Sequence, residues 1–179
     1  MLFHTIRRTL PAALLLCASS LPLVAHADTP HNLPDRKAGL WEVTTTDSSK
    51  GNKPEVDLHC VDATTDQKLK AFGKAMGEKM AACKVLEEKK DGAALFTHMR
   101  CDIGPIKSET RMRTEGDFSK EYTTVTETKV DMPGMGTNNS KSTARSKWIG
   151  ACKSGQKPGD VILSDGRTMN LLEGKMPLK

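Results

Sequence analysis

Four cysteines, Cys60, Cys83, Cys101 and Cys152, constrain this chain more than any other feature, because they remain once an N-terminal export segment is set aside. An even number of cysteines in an exported domain is typical of a disulfide-bonded scaffold. The cysteines therefore indicate an oxidising compartment and a cross-linked fold. Which cysteines pair depends on the arrangement of the strands.

Residues 1–27 have the composition of a secretory signal peptide. Two arginines precede an apolar stretch from Leu10 to Val24, and an Ala-His-Ala cleavage site ends at Ala27. The apolar stretch is shorter than the roughly 20 residues of a membrane-spanning helix, and no later stretch approaches that length. The paired arginines also fit twin-arginine export, and Cys17 fits a lipoprotein, although the residue before it is leucine rather than a small residue.

Cleavage after Ala27 predicts a protein of the periplasm or the extracellular medium, without a transmembrane segment. We expect a flexible N-terminal segment over residues 28–37 and a single β-rich domain over residues 38–179, which is a typical size for one domain. The whole chain has 27 Lys and Arg against 22 Asp and Glu. Loss of the two leader arginines leaves a net charge of about +3, which is spread along the chain and predicts no nucleic-acid partner.

Alternation of apolar and polar residues predicts antiparallel strands through most of the domain. The predicted strands cover residues 40–46, 55–61, 83–89, 93–101, 106–115, 121–131 and 141–152. The same alternation places His59 towards water and Trp148 in the core. We therefore expect a mainly β fold, either a curved antiparallel sheet or a partly closed barrel. Residues 132–140 have a loop composition, and the tail 153–179 forms either a terminal hairpin or a loose end.

One segment changes to a helical period. Apolar residues from Leu69 to Met80 recur at helical spacing and predict one α-helix over residues 64–82. Thr64 and Gln67 have the spacing of a capping box at its start. We interpret the methionines of this apolar stripe as core-filling residues rather than metal ligands.

The hairpin pattern selects the cysteine pairing. Counting outward from the Asp-Gly turn at Gly92 places Cys83 opposite Cys101, where a cross-strand disulfide is geometrically natural. This leaves Cys60 to pair with Cys152. The second bridge closes a loop of about ninety residues and is worth roughly 4 kcal/mol in the chain-entropy model.

The two longest predicted strands show an ordered charge pattern. One register pairs opposite charges across the outer face, at Arg111 with Glu127, Glu109 with Lys129 and Lys107 with Asp131. The inner face is then rich in hydroxyl groups, either because threonine suits strands or because a concave, partly wet surface holds a ligand. The candidate ligand contacts are Thr110, Met112, Thr124, Thr126 and Thr128.

A resemblance covers nearly the whole domain. The chain opens with Gly-Leu-Trp-Glu at residues 39–42, has a cysteine shortly before a helix start, a central cysteine pair, and closes with Gly-Ala-Cys at residues 150–152. In this order the motifs resemble a family of exported bacterial proteins that is still a domain of unknown function. The resemblance implies location and scaffold, with no catalytic residues to carry over. Members often have a Met-Pro-Gly-Met-type segment after the first strand, whereas this chain has its only such segment at residues 132–135.

The residues for common enzyme chemistry are not in the required patterns. No serine lies in Gly-x-Ser-x-Gly, the histidines have no metal-ligand spacing, and no two cysteines form Cys-x-x-Cys. We therefore expect no enzymatic activity and no cofactor, and favour a binding module for a small or lipidic ligand or for an envelope protein. The first alternative is copper handling, because Met132 and Met135 offer two soft thioethers, with His98, Met99 and Met112 as possible neighbours. A hydrolase ranks third.

Overall fold

Nine strands form one antiparallel sheet in the part of the chain that the structure describes. The computed structural model describes residues 33–79 and 83–173, and for residues 72–79 it describes the backbone only. The strands are β1 (Gly39–Asp47), β2 (Glu55–Val61), β3 (Cys83–Asp91), β4 (Ala94–Ile103), β5 (Ile106–Asp117), β6 (Glu121–Met132), β7 (Gly136–Gly150), β8 (Asp160–Ile162) and β9 (Thr168–Asn170). A 3-10 turn (Ser48–Lys50) follows β1, and one α-helix, α1 (Ala63–Lys79), lies between β2 and β3. Neither helical segment within these residues is long and apolar enough to cross a membrane.

The sheet is open and curved. Its strand order is β3-β4-β5-β6-β7-β1-β2-β8-β9, so β3 and β9 form the two edges. Met112 on β5 and Leu171 after β9 line the same cavity. In a flat sheet these strands would be about 29 Å apart at the usual strand spacing. The sheet therefore curves around its inner face and stays open, which confirms the curved antiparallel sheet, the first of the two predicted forms.

The predicted charge register of β5 and β6 is confirmed. Arg111 pairs with Glu127, Glu109 with Lys129 and Lys107 with Asp131. Side chains of opposite charge that face each other across two strands stabilise a particular alignment. A slip by one residue would reverse the inner and outer faces of both strands.

The disulfide between Cys83 and Cys101 closes the β3–β4 hairpin as predicted, with 3.9 Å between the two Cα atoms. The register differs near the turn, where Asp91 pairs with Ala94. A bulge between Val85 and Glu87 then shifts the alignment by one residue and brings the two cysteines opposite each other.

The second predicted disulfide, between Cys60 and Cys152, is also present, with 5.4 Å between the Cα atoms. Cys60 lies on β2, whereas Cys152 follows β7, and β1 runs between these strands. The bridge therefore spans the end of β1. Leu40 at this end of β1 is 3% exposed, and Cys60 itself is 1% exposed.

A close backbone approach explains the glycine at the start of β1. Gly39 has a φ of +133°, and a Cβ atom there would collide with the carbonyl oxygen of Gly150 and lie 2.6 Å from the indole nitrogen of Trp148. Only glycine fits this position without displacing β7.

Trp148 was predicted to lie in the core, and this is wrong. Trp41 is the fully buried tryptophan, whereas Trp148 is half-buried at the end of the inner face. Its indole N–H donates to the carbonyl oxygen of Ala38 at 3.1 Å, and the ammonium of Lys37 lies 3.4 Å from its ring centroid. Trp148 lies opposite Trp41 beside the bulge at this end of β7, and Lys37 and Ala38 of the chain that enters β1 contact its ring.

The helix begins one residue earlier than predicted, and its cap is different. Asp62, directly before α1, accepts hydrogen bonds from the backbone N–H and the hydroxyl of Thr65 at 2.6 and 2.7 Å. Asp62 is thus the N-cap residue, and the predicted capping box of Thr64 and Gln67 is wrong. The predicted apolar stripe beyond Leu69 lies outside the described side chains.

Two segments without predicted strands are partly strand. β7 begins at Gly136, so only residues 133–135 form the turn after β6, and the rest of the predicted loop pairs with β6. The tail forms the β8–β9 hairpin, whose first strand pairs with β2. Residues 174–179 and the predicted signal peptide lie outside the described residues.

Candidate functional site

A cavity of about 420 Å³ lies against the concave face of the sheet. Its walls come from β2, β5, β6, the first turns of α1, the chain before β1 and the residue after β9. Apolar side chains form most of the lining: Leu33, Pro34, Leu69, Met112, Phe118 and Leu171. The polar lining residues are Arg36, His59, Asp66, Lys70 and Tyr122. This volume and this largely apolar wall with a few polar groups are typical of a small-molecule site.

One ion pair holds the chain before β1 against the helix. The guanidinium of Arg36 donates to the Asp66 carboxylate, with a shortest distance of 2.5 Å, and the backbone N–H of Arg36 donates to it at 2.7 Å. The two side chains are only 13% and 6% exposed. Burial alone would lower the pKa of Arg36, but Asp66 and Tyr122 raise it above its ordinary value. The guanidinium is therefore held beside a carboxylate that offsets its charge.

The segment of residues 33–37, here called the strap, has further contacts with the domain. Asp35 accepts a hydrogen bond from the ammonium of Lys70 on α1 at 2.5 Å. The backbone N–H of Lys37 donates to the carbonyl oxygen of Phe118 at 2.9 Å. The sequence assigned these residues to a flexible N-terminal segment, whereas the structure makes them one wall of the cavity. Residues 28–32 of that segment lie outside the described residues.

His59 was predicted to face water, and this is wrong. It pairs with Trp41 on one side and with Val161 on the other, and both partners are buried on the inner face. Burial, followed by the charge of Arg36, lowers the pKa of His59 to about 4, against a smaller opposing effect of Asp57. The imidazole therefore lines the cavity in its neutral form at neutral pH.

An aromatic cluster forms the floor beside the ion pair. The ring of Tyr122 stacks on Phe118 with 4.5 Å between centroids and tilts against Trp41 at 5.6 Å. Offset and tilted arrangements at these distances stabilise aromatic pairs. The Tyr122 ring is fixed in place, and its hydroxyl lies near enough to Arg36 to raise the pKa of the guanidinium.

A model of one protein family matches residues 36–152 of this chain, which is well over half of its length. The chain belongs to that family. The family is described as Protein of unknown function (DUF3617). This confirms the predicted membership of a domain of unknown function. No curated protein and no solved structure matches the chain.

The DUF3617 match includes most of the cavity. It begins at Arg36 and extends past Asp66, His59 and Tyr122 to Cys152, so it contains both disulfides. Leu171, which closes one side of the cavity, follows the matched region. The polar centre of the site therefore belongs to the shared domain, whereas part of its rim does not.

Among the predicted ligand contacts, Met112 lines the cavity. The four threonines lie on β5 and β6 with Met112 on the inner face, but they are not among the lining residues. Thr124 instead makes a hydrogen bond to Thr114, 3.0 Å away, and Thr114 is 2% exposed. Part of the hydroxyl-rich face is thus internally paired.

Sequence reasoning missed the polar side of the DUF3617 cavity. Arg36 lies before the first strand, where no periodic pattern assigns a face. His59 was assigned by the alternation within its own strand, yet its partner on β1 is the fully buried Trp41. Pairing β1 with β2 before assigning faces would have placed His59 on the inner side.

The predicted metal site is not brought together with its possible neighbours. Met132 ends β6 and Met135 lies in the following turn with a 79% exposed side chain. Met112 pairs with Thr126, six residues back along β6, which is about 20 Å at the usual rise per residue. In the described part of the chain, no three His, Cys, Asp or Glu side chains form a metal-binding group.

Proposed function

We propose that this protein is an exported, non-enzymatic binding module that holds a small, mostly apolar ligand in the cavity between the sheet, the strap and α1. The observation that carries the proposal is the cavity itself: about 420 Å³, with mainly apolar walls and a neutral histidine among its few polar groups. Pockets of this size and composition bind small organic molecules.

The lining argues for binding rather than covalent chemistry. Nucleophilic catalysis by a serine, cysteine or threonine needs an activating base beside it, whereas the lining carboxylate Asp66 and the lining amine Lys70 are held in ion pairs. The described residues that line the cavity include a histidine but none of these nucleophiles. The cysteines that the sequence offers in this region are joined in disulfides.

Export is supported by the N-terminal sequence and by the cysteines. Residues 1–27 have the pattern of a signal peptide, and structural disulfides persist in oxidising compartments such as the bacterial periplasm. The favoured location is therefore the periplasm or the extracellular medium. An envelope protein remains the alternative partner to a small or lipidic ligand.

A copper-handling role has less support. Met132 and Met135 are two thioethers without the additional ligands that were expected nearby. A titration with Cu(I) tests this role, because replacement of both methionines by alanine should leave the affinity unchanged if copper is not a ligand here.

Native mass spectrometry of the protein purified from its own cells tests the binding proposal. We expect a population heavier than the disulfide-bonded chain by the mass of one small molecule. Met112→Trp should deplete this population because the larger indole occupies part of the cavity. Met135→Trp is the matched control, since it places the same side chain on an exposed turn. A single mass equal to that of the bare chain, in all three proteins, would contradict the proposal.

A further inference from the structure

The charged groups around the cavity already have partners within the protein. Arg36 is bound by Asp66 with a shortest distance of 2.5 Å, and Lys70 is bound by Asp35 at the same distance. Each cation of the described lining therefore has a carboxylate partner, Asp66 within the lining and Asp35 beside it on the strap. A ligand entering this site meets no unpaired cation among the described lining residues.

A charged ligand would disturb this balance. A carboxylate beside Arg36 would either lie next to the buried Asp66 or displace it, and a buried unpaired charge is strongly unfavourable. An ammonium group would approach the cations Arg36 and Lys70, whose carboxylate partners are already engaged. Both kinds of ion would also lose their hydration in a mainly apolar cavity.

The remaining hydrogen-bonding groups are neutral. The imidazole of His59 has one donor and one acceptor nitrogen in its neutral form, and the Tyr122 hydroxyl can donate and accept. The His59 ring lines the cavity, and the effects that shift its pKa are burial and the charges of Arg36 and Asp57. A polar group on a ligand would therefore find a partner at one end of an otherwise apolar space.

We infer that the cavity selects an uncharged amphipathic molecule, with an apolar body and a hydroxyl or carbonyl group that bonds to His59 or Tyr122. This inference rests on the proposed function, because it names the ligand class of the same cavity. It is narrower than that function, since an apolar cavity of this size could equally hold the tail of a fatty acid.

Competition among three compounds with the same chain tests the selection. The purified, disulfide-bonded protein is loaded with the neutral fluorophore N-phenylnaphthylamine and titrated with decanol, decanoate and decylammonium at neutral pH. We expect decanol to displace the fluorophore at a concentration at least about tenfold lower than either ion, because only the ions must lose a charged hydration shell.

Removing one partner of the central ion pair should change the preference. Asp66→Asn leaves Arg36 without its anion, so decanoate should become the best competitor. Asp165→Asn is the matched control, because Asp165 also binds an arginine, Arg167, but lies in the β8–β9 turn. It should keep the order of the wild-type protein. If Asp66→Asn does not fold, Arg36→Gln leaves Asp66 as the unpaired charge and should favour decylammonium instead.

The outcomes separate this inference from the proposed function. If the fluorophore does not bind, or binds equally well to Met112→Trp, the cavity is not a binding site and both ideas are wrong. If binding requires the open cavity but decanoate competes as well as decanol in the wild-type protein, the binding function stands and the selection for uncharged ligands is overturned.

Discussion

Asp66, in the first turn of α1, binds both the guanidinium and the backbone N–H of Arg36 at distances from 2.5 to 3.2 Å. The contact joins two parts of the chain that are thirty residues apart, and it does so at the wall of the cavity. Because each group is mostly buried, each depends on the other for compensation of its charge.

Asp66→Ala should therefore destabilise the protein strongly. Leaving the Arg36 guanidinium buried and unpaired costs about 3 to 5 kcal/mol. Urea unfolding followed by circular dichroism measures the change. Asp165→Ala removes the carboxylate of an exposed Asp–Arg pair and should have far less effect. Equal losses in the two variants would show that the buried pair has no special role.

Stability should also fall in mild acid because of His59. Its pKa is about 4 in the folded protein against 6.5 ordinarily, so between these values the unfolded chain binds the proton and the folded chain does not. The contribution of His59 to the free energy of unfolding is thus fully present above the ordinary pKa of 6.5. As the pH falls towards the pKa of the folded state, this contribution is lost, by at most about 3 kcal/mol.

Unfolding free energies measured across this pH range for the wild-type protein and His59→Gln check the effect. The variant should lose less stability than the wild type as the pH falls, because it has no imidazole to protonate. Parallel curves for the two proteins would mean that His59 is hydrated in the folded state.

The two disulfides should contribute unequally. They join residues separated by 92 positions, for Cys60 and Cys152, and by 18 positions, for Cys83 and Cys101. In the chain-entropy model the longer loop is worth about 4 to 5 kcal/mol and the shorter about 3 kcal/mol. Replacing each pair by alanine and measuring thermal unfolding compares them. A larger loss from the hairpin pair would contradict this order.

The hydroxyl pair on the inner face gives a prediction about the threonine-rich surface. Thr114→Val should leave the Thr124 hydroxyl without its partner and lower stability by about 1 kcal/mol. Replacing both residues by valine should restore much of the loss, because both hydroxyl groups are then absent. A double-mutant cycle by urea unfolding measures the coupling. Additive losses would show that the hydroxyl groups act independently.

The sequence predicted the sheet well because the relevant signals are local. Alternation and facing charges fixed the register of β5 and β6 within one hairpin. The turn at Gly92 likewise predicted the Cys83–Cys101 disulfide, which left Cys60 to pair with Cys152. The predictions for Trp148 and for the helix cap were wrong. A bulge in β7 affects the position of Trp148. The cap is decided by the Asp62 carboxylate, which accepts hydrogen bonds from Thr65.

The cavity could not be predicted in the same way. It is formed by Arg36 before the first strand, Asp66 on the helix and Leu171 after the last strand, which meet only when the sheet curves. No local pattern connects these residues. The position of His59 could not be predicted for the same reason. Its side of the sheet is fixed by pairing with β1, whereas the prediction used the alternation within β2 alone.

Methionine methyl NMR tests the central claim most directly. Among the described methionines, Met112 lines the cavity, whereas Met135 lies on an exposed turn and serves as an internal control. During titration of the labelled protein with decanol, the Met112 methyl resonance should shift and saturate, while that of Met135 should not move. An unchanged Met112 resonance, or equal shifts at both methionines, would contradict the account of this cavity as a ligand site.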